Sequence, residues 1–361
     1  MKETLDPLLA IREKIDKIDK AIYQLIKERA EVAQEVAIIK QASQPDAVYY
    51  RPEREAQILR LVMEKNDSLL SDRSVAQIFR DIMTACLALQ KPQTIGYLGP
   101  KGTFSQIAAE KHFGKDINSK ACSSIEDIFR DVETEQVHYG VVPIENTTEG
   151  TVNLTLDAFL SYDVQICGEI ELPIHHQLMT QTGNTQIDCI YSHQQSLAQC
   201  RQWISQNHPT AKLIAVESNG EAAKLASLED SSAAIASELA AEVYDLDIIA
   251  ENIEDHRQNT TRFLILGKQA VPLSGQDKTS LLISTPHAPG SLHKLLRPFT
   301  DNDINMTLIE SRPYRHRNWS YLFFIDIEGH QSDDKIKKAI RELGEMSVMM
   351  SCLGSYPQAV V

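Results

Sequence analysis

Nine positions spaced alternately four and three apart, Ile11, Ile15, Ile18, Ile22, Leu25, Arg29, Val32, Val36 and Ile39, form a single apolar helical seam with a guanidinium at its middle. Desolvating an unpaired cation costs several kcal/mol or more, so an anion should meet Arg29 there. Lys40 lies about three helical turns further on and returns to nearly the same face, while Arg12 falls roughly a quarter-turn off it and could serve a site on a partner chain. A later helical pattern, capped at Ser71-Asp72, carries Val75, Phe79, Ile82, Cys86 and Gln90 at helical spacing, its last two seam positions again less apolar than a seam requires. Polar groups set on apolar faces suit a helical dimer holding a small polyanion. The plainer reading is that Arg29 fixes helix register or snorkels to water.

A second set of polar groups falls at strand-to-helix junctions: Gly99-Pro-Lys-Gly102-Thr103-Phe-Ser105, Ile144-Glu145-Asn146 through Thr151, and Tyr191-Ser192-His193-Gln194. Each places free helix N–H groups at the carboxyl end of a strand, where open α/β folds bind anions, although helix capping uses the same residue types. Asn259-Thr260-Thr261-Arg262-Phe263 opens a strand with a hydroxyl pair beside a cation, a set able to hold a carboxylate and to offer a proton donor. His175 and His176 are adjacent, so in an extended segment they face opposite ways and make a poor metal pair; a surface or hinge role fits them better. In the last third, Pro289-Gly290-Ser291-Leu292 starts a helix that could receive a carboxylate, and Ile309-Glu310-Ser311-Arg312-Pro313 ends a strand.

Three modules must position these groups. Residues 1–92 read as a rod of roughly 50 Å and two shorter helices, at 1.5 Å per residue, with the short helices burying the rod's stripe. Residues 94–267 alternate strands (94–98, 139–144, 164–171, 187–191, 212–216, 233–236, 246–250, 261–266) with helices (103–113, 124–135, 152–160, 194–206, 219–228, 237–243). That alternation predicts parallel sheets, divided into two lobes by an extended crossover near 164–181. After a linker at 268–277, residues 278–361 follow a βαββαβ order, that of the ferredoxin-like sheet.

Composition narrows the functions. The net charge is −14, and residues 1–93 hold fifteen basic and fifteen acidic side chains, so the acidic excess lies entirely after them and no nucleic-acid surface is indicated. No run approaches the ~20 apolar residues of a membrane span. The opening MKETLDPLLAIREK has no apolar signal-peptide core, and the six cysteines form neither C-x-x-C pairs nor metal-ligand spacing, which together suggest reduced thiols in a cytoplasmic protein. Gly96-x-x-Gly99-x-x-Gly102 is not a dinucleotide fingerprint, and P-loop, H-E-x-x-H and G-x-S-x-G motifs are absent.

Taken in order, Gly99-Pro-Lys-Gly-Thr-Phe-Ser105, Val142-Pro-Ile-Glu-Asn146, Ser192-His193 with Gln199-Cys200, and Asn259-Thr-Thr-Arg-Phe263 resemble the dehydratase motifs of the bifunctional chorismate mutase–prephenate dehydratases of phenylalanine biosynthesis. Gly290-Ser-Leu-His293 and Glu310-Ser-Arg-Pro313 resemble that family's phenylalanine-binding ACT motifs, and the likeness covers essentially the whole chain. The resemblance implies an all-α mutase dimer at 1–92, a two-lobed, periplasmic-binding-like dehydratase at 94–267 and an α+β ferredoxin-like ACT domain at 278–361. It implies no cofactor and no metal, and a homodimer or larger homo-oligomer acting on chorismate and prephenate under inhibition by phenylalanine.

Residue by residue, the resemblance implies that Arg12 (from the partner), Arg29, Lys40, Arg54, Glu55, Cys86 and Gln90 hold chorismate, with Lys40 and Gln90 at its ether oxygen. It implies prephenate contacts from Thr103, Glu145, Asn146, Ser192, Gln199, Thr260, Thr261 and Arg262, with Thr261 the leading proton donor, and phenylalanine contacts from Gly290, Ser291, Leu292, Glu310, Ser311 and Arg312. Three positions depart from the family pattern: Arg51 where the best-known mutases carry an aspartate, Cys86 for a hydroxyl residue and Ser291 for an alanine. Two rival readings keep the same folds: a non-catalytic amino-acid sensor, and a dehydratase whose helices only dimerise.

Overall fold

The computed structural model describes residues 7–43, 48–183, 186–286, 288–313 and 321–360. Its helical region comprises α1 (Pro7–Ser43), α2 (Pro52–Glu64) and α3 (Asp72–Gln90). Proline at the first turn of α2 and the Ser71 hydroxyl, which accepts from the Ser74 N–H at 3.2 Å, set the starts of the two short helices. The expectation that they would bury the stripe of α1 is not met. Ile11, Ile15, Ile18, Ile22 and Leu25 are each about half exposed or more. The nineteen residues of α3 span roughly 28 Å at 1.5 Å per residue, well short of the rod, and even beside Arg29, where α3 does meet α1, Val32 and Ile39 stay more than half exposed.

The first lobe contains β1 (Thr94–Leu98), α4 (Phe104–Phe113), β2 (Asn118–Cys122), α5 (Ile125–Glu133), β3 (Tyr139–Asn146), β4 (Gly150–Thr151), α6 (Asn153–Ala158) and β5 (Gln165–Pro173). The second contains β6 (Gln177–Thr180), β7 (Cys189–His193), α7 (Gln194–Gln199), α8 (Arg201–Asn207), β8 (Lys212–Val216), α9 (Asn219–Ala226), β9 (Ser232–Ala236), α10 (Glu238–Tyr244) and β10 (Asp247–Ala250). The chain then returns to the first lobe as β11 (Thr260–Gly267).

The sheets run β2-β1-β3-β11-β5, with β4 on β3, and β10-β6-β9-β7-β8. Both are mixed, which corrects the expectation of parallel sheets: β11 runs antiparallel to β3 and β5, and β6 antiparallel to β9 and β10. Strands that enter a lobe from the other one arrive pointing the opposite way. The crossover expected near 164–181 is present but split into β5 and β6 in different sheets. Strand β2 escapes pattern reading because it is an edge strand exposed at four of five positions. The helix expected over 194–206 breaks at Cys200, where the Asp255 carboxylate accepts from Gln202 N and Trp203 N at 2.9 and 3.1 Å and starts α8 afresh.

The last region is β12 (Asp277–Thr285), α11 (Ser291–Asp301), β13 (Met306–Pro313), β14 (Tyr321–Glu328), α12 (Asp334–Met346) and β15 (Met349–Pro357). Its order β13-β14-β12-β15, antiparallel throughout, is the expected ferredoxin-like sheet. Leu281, Ile283, Phe323 and Ile325 pack under its helices. Leu282, Leu322, Phe324, Leu353 and Tyr356, on the opposite face, join the core of the first lobe with Phe129, Ile144 and Ile166. At Gly354 any Cβ would stand 2.4 Å from the Ile166 carbonyl oxygen, so only glycine permits β15 to approach β5 this closely. Among the described residues no helix is long and apolar enough to cross a membrane.

Candidate active site

A cavity of about 880 Å³ lies between the two lobes, and all three polar junctions open onto it, together with Asn259 and Thr261 from β11. Thr103, Asn146, Gln199 and Thr261 therefore meet, although they come from widely separated parts of the chain.

Their hydrogen bonds interlock. Asn146 Oδ1 accepts from the backbone N–H groups of Thr148 and Glu149 at 2.9 and 3.2 Å, which turns its amide nitrogen the other way. That nitrogen donates to Thr261 Oγ1 at 2.7 Å and to Asn259 Oδ1 at 2.9 Å. Asn259 Nδ2 donates to Gln199 Oε1 at 3.1 Å, and the same oxygen lies 2.8 Å from His176 Nε2. Because Thr261 Oγ1 already receives a proton from Asn146, its own proton is left to donate into the cleft. Thr103 Oγ1 donates to the Leu98 carbonyl oxygen at 2.8 Å, tying the first junction to β1.

Other sequence-predicted contacts lie elsewhere. Arg262 pairs with Glu169 at 2.7 Å and with Asp326 at 2.6 Å and reaches the Tyr356 hydroxyl at 3.0 Å, so it faces the ferredoxin-like sheet and not the cleft. The pleat is the cause: neighbouring side chains on a strand point to opposite faces, and Thr261 holds the cleft side. Glu145 stands opposite Arg262 in register and shares its face, and Thr260 likewise alternates away from Thr261. Ser192 is fully buried, 2.7 Å from the Ile235 carbonyl oxygen and 3.0 Å from Asn219 Oδ1, and it supports Asn219 at the cleft wall.

Sequence reasoning missed Asn219 and undervalued His176. The adjacent histidines do face opposite ways, but His176 is buried at the cleft and His175 pairs outside with Glu254 at 2.8 Å. Glu254 also accepts from the backbone N–H of His176 at 2.9 Å. Burial raises the pKa of that carboxyl, yet the bonds from His175 and from the His176 backbone outweigh it and hold it below the usual range.

In the helical region Arg29 is half-buried, with Nη1 3.5 Å from the Ile82 carbonyl oxygen. Lys40 donates to the Val48 carbonyl oxygen at 2.9 Å and stands 5.4 Å from the centre of the Tyr49 ring. Burial, and then the Arg51 charge, lower its pKa against the opposing effect of Glu53. Gln90 is half-buried at the end of α3, Cys86 is buried, and Arg12 and Arg54 are exposed. Glu55 corrects the expectation: it points inward and pairs with Arg80 at 3.3 Å beside Tyr50 and His112, because it shares the inner face of α2 with Ala56 and Leu59. Burial raises the pKa of its carboxyl against the pull of Arg80.

In the C-terminal region Gly290, at φ +78°, precedes α11 and with Ser291, Leu292, Tyr321 and Phe323 borders a cavity of about 260 Å³. Ser311 pairs in register with Phe323 and shares its face. Glu310 and Arg312 alternate to the other face, where Thr151 Oγ1 donates to Glu310 at 2.5 Å and Arg312 pairs with Asp157 at 2.7 Å. The expected set of three thus divides between the two sides of β13.

A cleft between two α/β lobes, closed by an interlocked amide and hydroxyl chain and backed by a ferredoxin-like sheet, is the architecture of a multidomain protein that holds a small polar molecule between its lobes. The chain matches the families Chorismate mutase type II over residues 11–91, Prephenate dehydratase over 95–271 and ACT domain over 279–345. It is 51% identical over 361 residues to a bifunctional chorismate mutase/prephenate dehydratase of Stutzerimonas stutzeri, covering 99% of each chain, and 49% identical over 363 residues to that of Pseudomonas aeruginosa, again covering 99% of each. A solved prephenate dehydratase from Arthrobacter aurescens, in complex with L-Phe, is similar with a TM-score of 0.69 at 32% identity, over 74% of this chain and 90% of that one. The chain belongs to the family of bifunctional chorismate mutase/prephenate dehydratases.

Proposed function

We propose that this protein rearranges chorismate to prephenate and then converts prephenate to phenylpyruvate, with phenylalanine as the inhibitor. The observation that carries the reading is the 2.7 Å bond from Asn146 to Thr261 Oγ1 inside the cleft, which leaves the threonine proton for a departing oxygen. In the second reaction the bond from the ring to its carboxylate breaks and carbon dioxide leaves. That electron pair enters the ring, and the ring carbon–oxygen bond breaks towards oxygen. The oxygen takes a proton and departs as water. Thr261 is a weak free acid, so it serves by hydrogen bonding to the departing oxygen while the proton comes ultimately from solvent.

The first reaction is pericyclic and needs no nucleophile. Arg29 and Arg12 of the partner protomer suit the two carboxylates, and Lys40 and Gln90 the ether oxygen on which charge grows. The exposed stripe of α1 supports a homodimer as the completed form of that site. Division of labour follows residues 1–92, 94–267 and 278–361, with Gly290, Ser291, Leu292 and Ser311 at the phenylalanine pocket. Free cysteines throughout the described chain suit a cytoplasmic enzyme.

The test is to give chorismate to the purified full-length protein and follow prephenate and phenylpyruvate with and without phenylalanine. Phenylpyruvate formation that phenylalanine suppresses is the expected result. Untouched chorismate alongside conversion of added prephenate would leave the helices as a dimeriser only, and no reaction with either would favour a sensor.

A further inference from the structure

The hydrogen-bond chain of the cleft has a direction, and its direction fixes the state of a residue at its far end. Two backbone N–H groups pin Asn146 Oδ1, so its amide cannot be turned over. Its nitrogen then faces Asn259, which must answer with its oxygen, and Asn259 in turn presents its nitrogen to Gln199. Gln199 therefore presents Oε1, an atom that only accepts, to both Asn259 and His176. His176 must donate from Nε2. In a neutral imidazole Nδ1 is then bare and can only accept.

His176 is 1% exposed and borders the cleft, and its Nδ1 is buried with no hydrogen-bond partner among the described residues. The Phe104 ring meets the imidazole edge-on at 5.5 Å, also at the cleft wall. Burial outweighs the Gln199 hydrogen bond and the Glu254 charge and lowers the His176 pKa, which favours the neutral ring. His175 and Glu254 are the charged or titratable neighbours that act on it. A buried acceptor without a partner is costly, and a ligand that brings a hydroxyl donor removes that cost.

We propose that His176 is a specificity residue of the dehydratase cleft, whose Nδ1 accepts a hydrogen bond from the ring hydroxyl of the substrate. The inference rests on the prephenate reading above. Prephenate in its dianionic form carries one hydrogen-bond donor, that hydroxyl, so a bare nitrogen has a single group to recognise. Thr261 then donates to the hydroxyl oxygen while His176 takes the hydroxyl's own hydrogen. The second contact raises electron density on the oxygen that must accept a proton as it leaves. Gln199 and Asn259 link the two contacts and hold them in complementary polarity.

The experiment uses the full-length protein and two saturated-ring analogues of prephenate that cannot become aromatic, one with the ring hydroxyl and one with hydrogen in its place. Each is measured as a competitive inhibitor of phenylpyruvate formation, so that only the dehydratase site is read. The wild type should favour the hydroxylated analogue by about tenfold or more. His176→Gln keeps a donor towards Gln199 but lacks the second nitrogen; it should cut that ratio several-fold, to the part that the Thr261 contact alone supplies, while leaving inhibition by the deoxy analogue unchanged. His176→Asn, which restores an acceptor near the Nδ1 position, should recover part of the ratio. A wild type indifferent to the hydroxyl overturns the proposal, whatever the variants do. So does a His176→Gln enzyme that weakens both analogues equally, the signature of a merely structural role. Failure of the wild type to turn over prephenate at all would instead remove the parent reading.

Discussion

The helical region and the interlobe cleft bring polar side chains together in opposite ways. In the cleft each group is already fixed: Asn146 by backbone N–H groups, Thr261 and Asn259 by Asn146, and Gln199 by Asn259. In the helical region Arg12 and Arg54 project from exposed faces, and Arg29 reaches a carbonyl oxygen at the limit of hydrogen bonding, beside a stripe of uncovered isoleucines. One site is preorganised within a single chain. The other leaves its charges on an open surface, which in the proposed homodimer a second chain completes. Preorganisation by hydrogen bonds suits a reaction that must deliver a proton donor to one atom, whereas a pericyclic step asks mainly for cations around a dianion.

The contrast can be broken most decisively at Thr261. Thr261→Ala should lower prephenate dehydration about 10²–10⁴-fold and leave chorismate consumption unchanged. Parallel assays of the two reactions check it, and retained dehydration would place the proton donor elsewhere. The reciprocal change, Arg29→Ala, should lower chorismate consumption about 10²–10³-fold without touching dehydration; unchanged mutase turnover would make the seam arginine a device of helix register.

Arg262→Met sharpens the comparison through stability. It leaves Asp326 buried without its cation and strips Glu169 of one of its two, a loss of about 3–5 kcal/mol. Denaturant unfolding should show the cleft and the C-terminal sheet weakened together, and an unchanged midpoint would mean that the pairs add nothing to their docking. The smallest effect concerns acid. His112, 2.5 Å from the Tyr50 hydroxyl, is held near pKa 3 by burial and then by the charges of Arg80 and Lys111. Between an ordinary value near 6.5 and that value the unfolded chain binds a proton that the folded one refuses, so stability falls as pH falls through this window. His112→Gln should flatten the slope of melting temperature against pH there, and an identical slope would assign the acid sensitivity to other groups.

Sequence spacing was enough to read the three modules, the ferredoxin-like order and the junctions that meet in the cleft, because each depends on local periodicity or capping. What it could not supply was facing. Thr261 and Arg262 are one residue apart in a motif, yet they serve different sides of a sheet. Glu310 and Arg312 part from Ser311 for the same reason. Glu55 turned inward because α2 packs against a domain whose position no local pattern records. His176 looked unremarkable in the sequence, since its meaning comes from Gln199 and Asn259, both remote in the chain.

The place of β11 bears on how the chain can be made. This strand lies between β3 and β5, but the ribosome delivers it only after the whole second lobe. Until then the first sheet has a gap in its middle, flanked by Val141 and Val142 on one strand and Ile166 and Ile170 on the other, with the backbone groups that face β11 unpaired. Open apolar edges of this kind invite pairing with other chains. A nascent chain therefore passes through a stage at which an aggregation-prone apolar edge faces solvent, and any product that ends before residue 260 stays there.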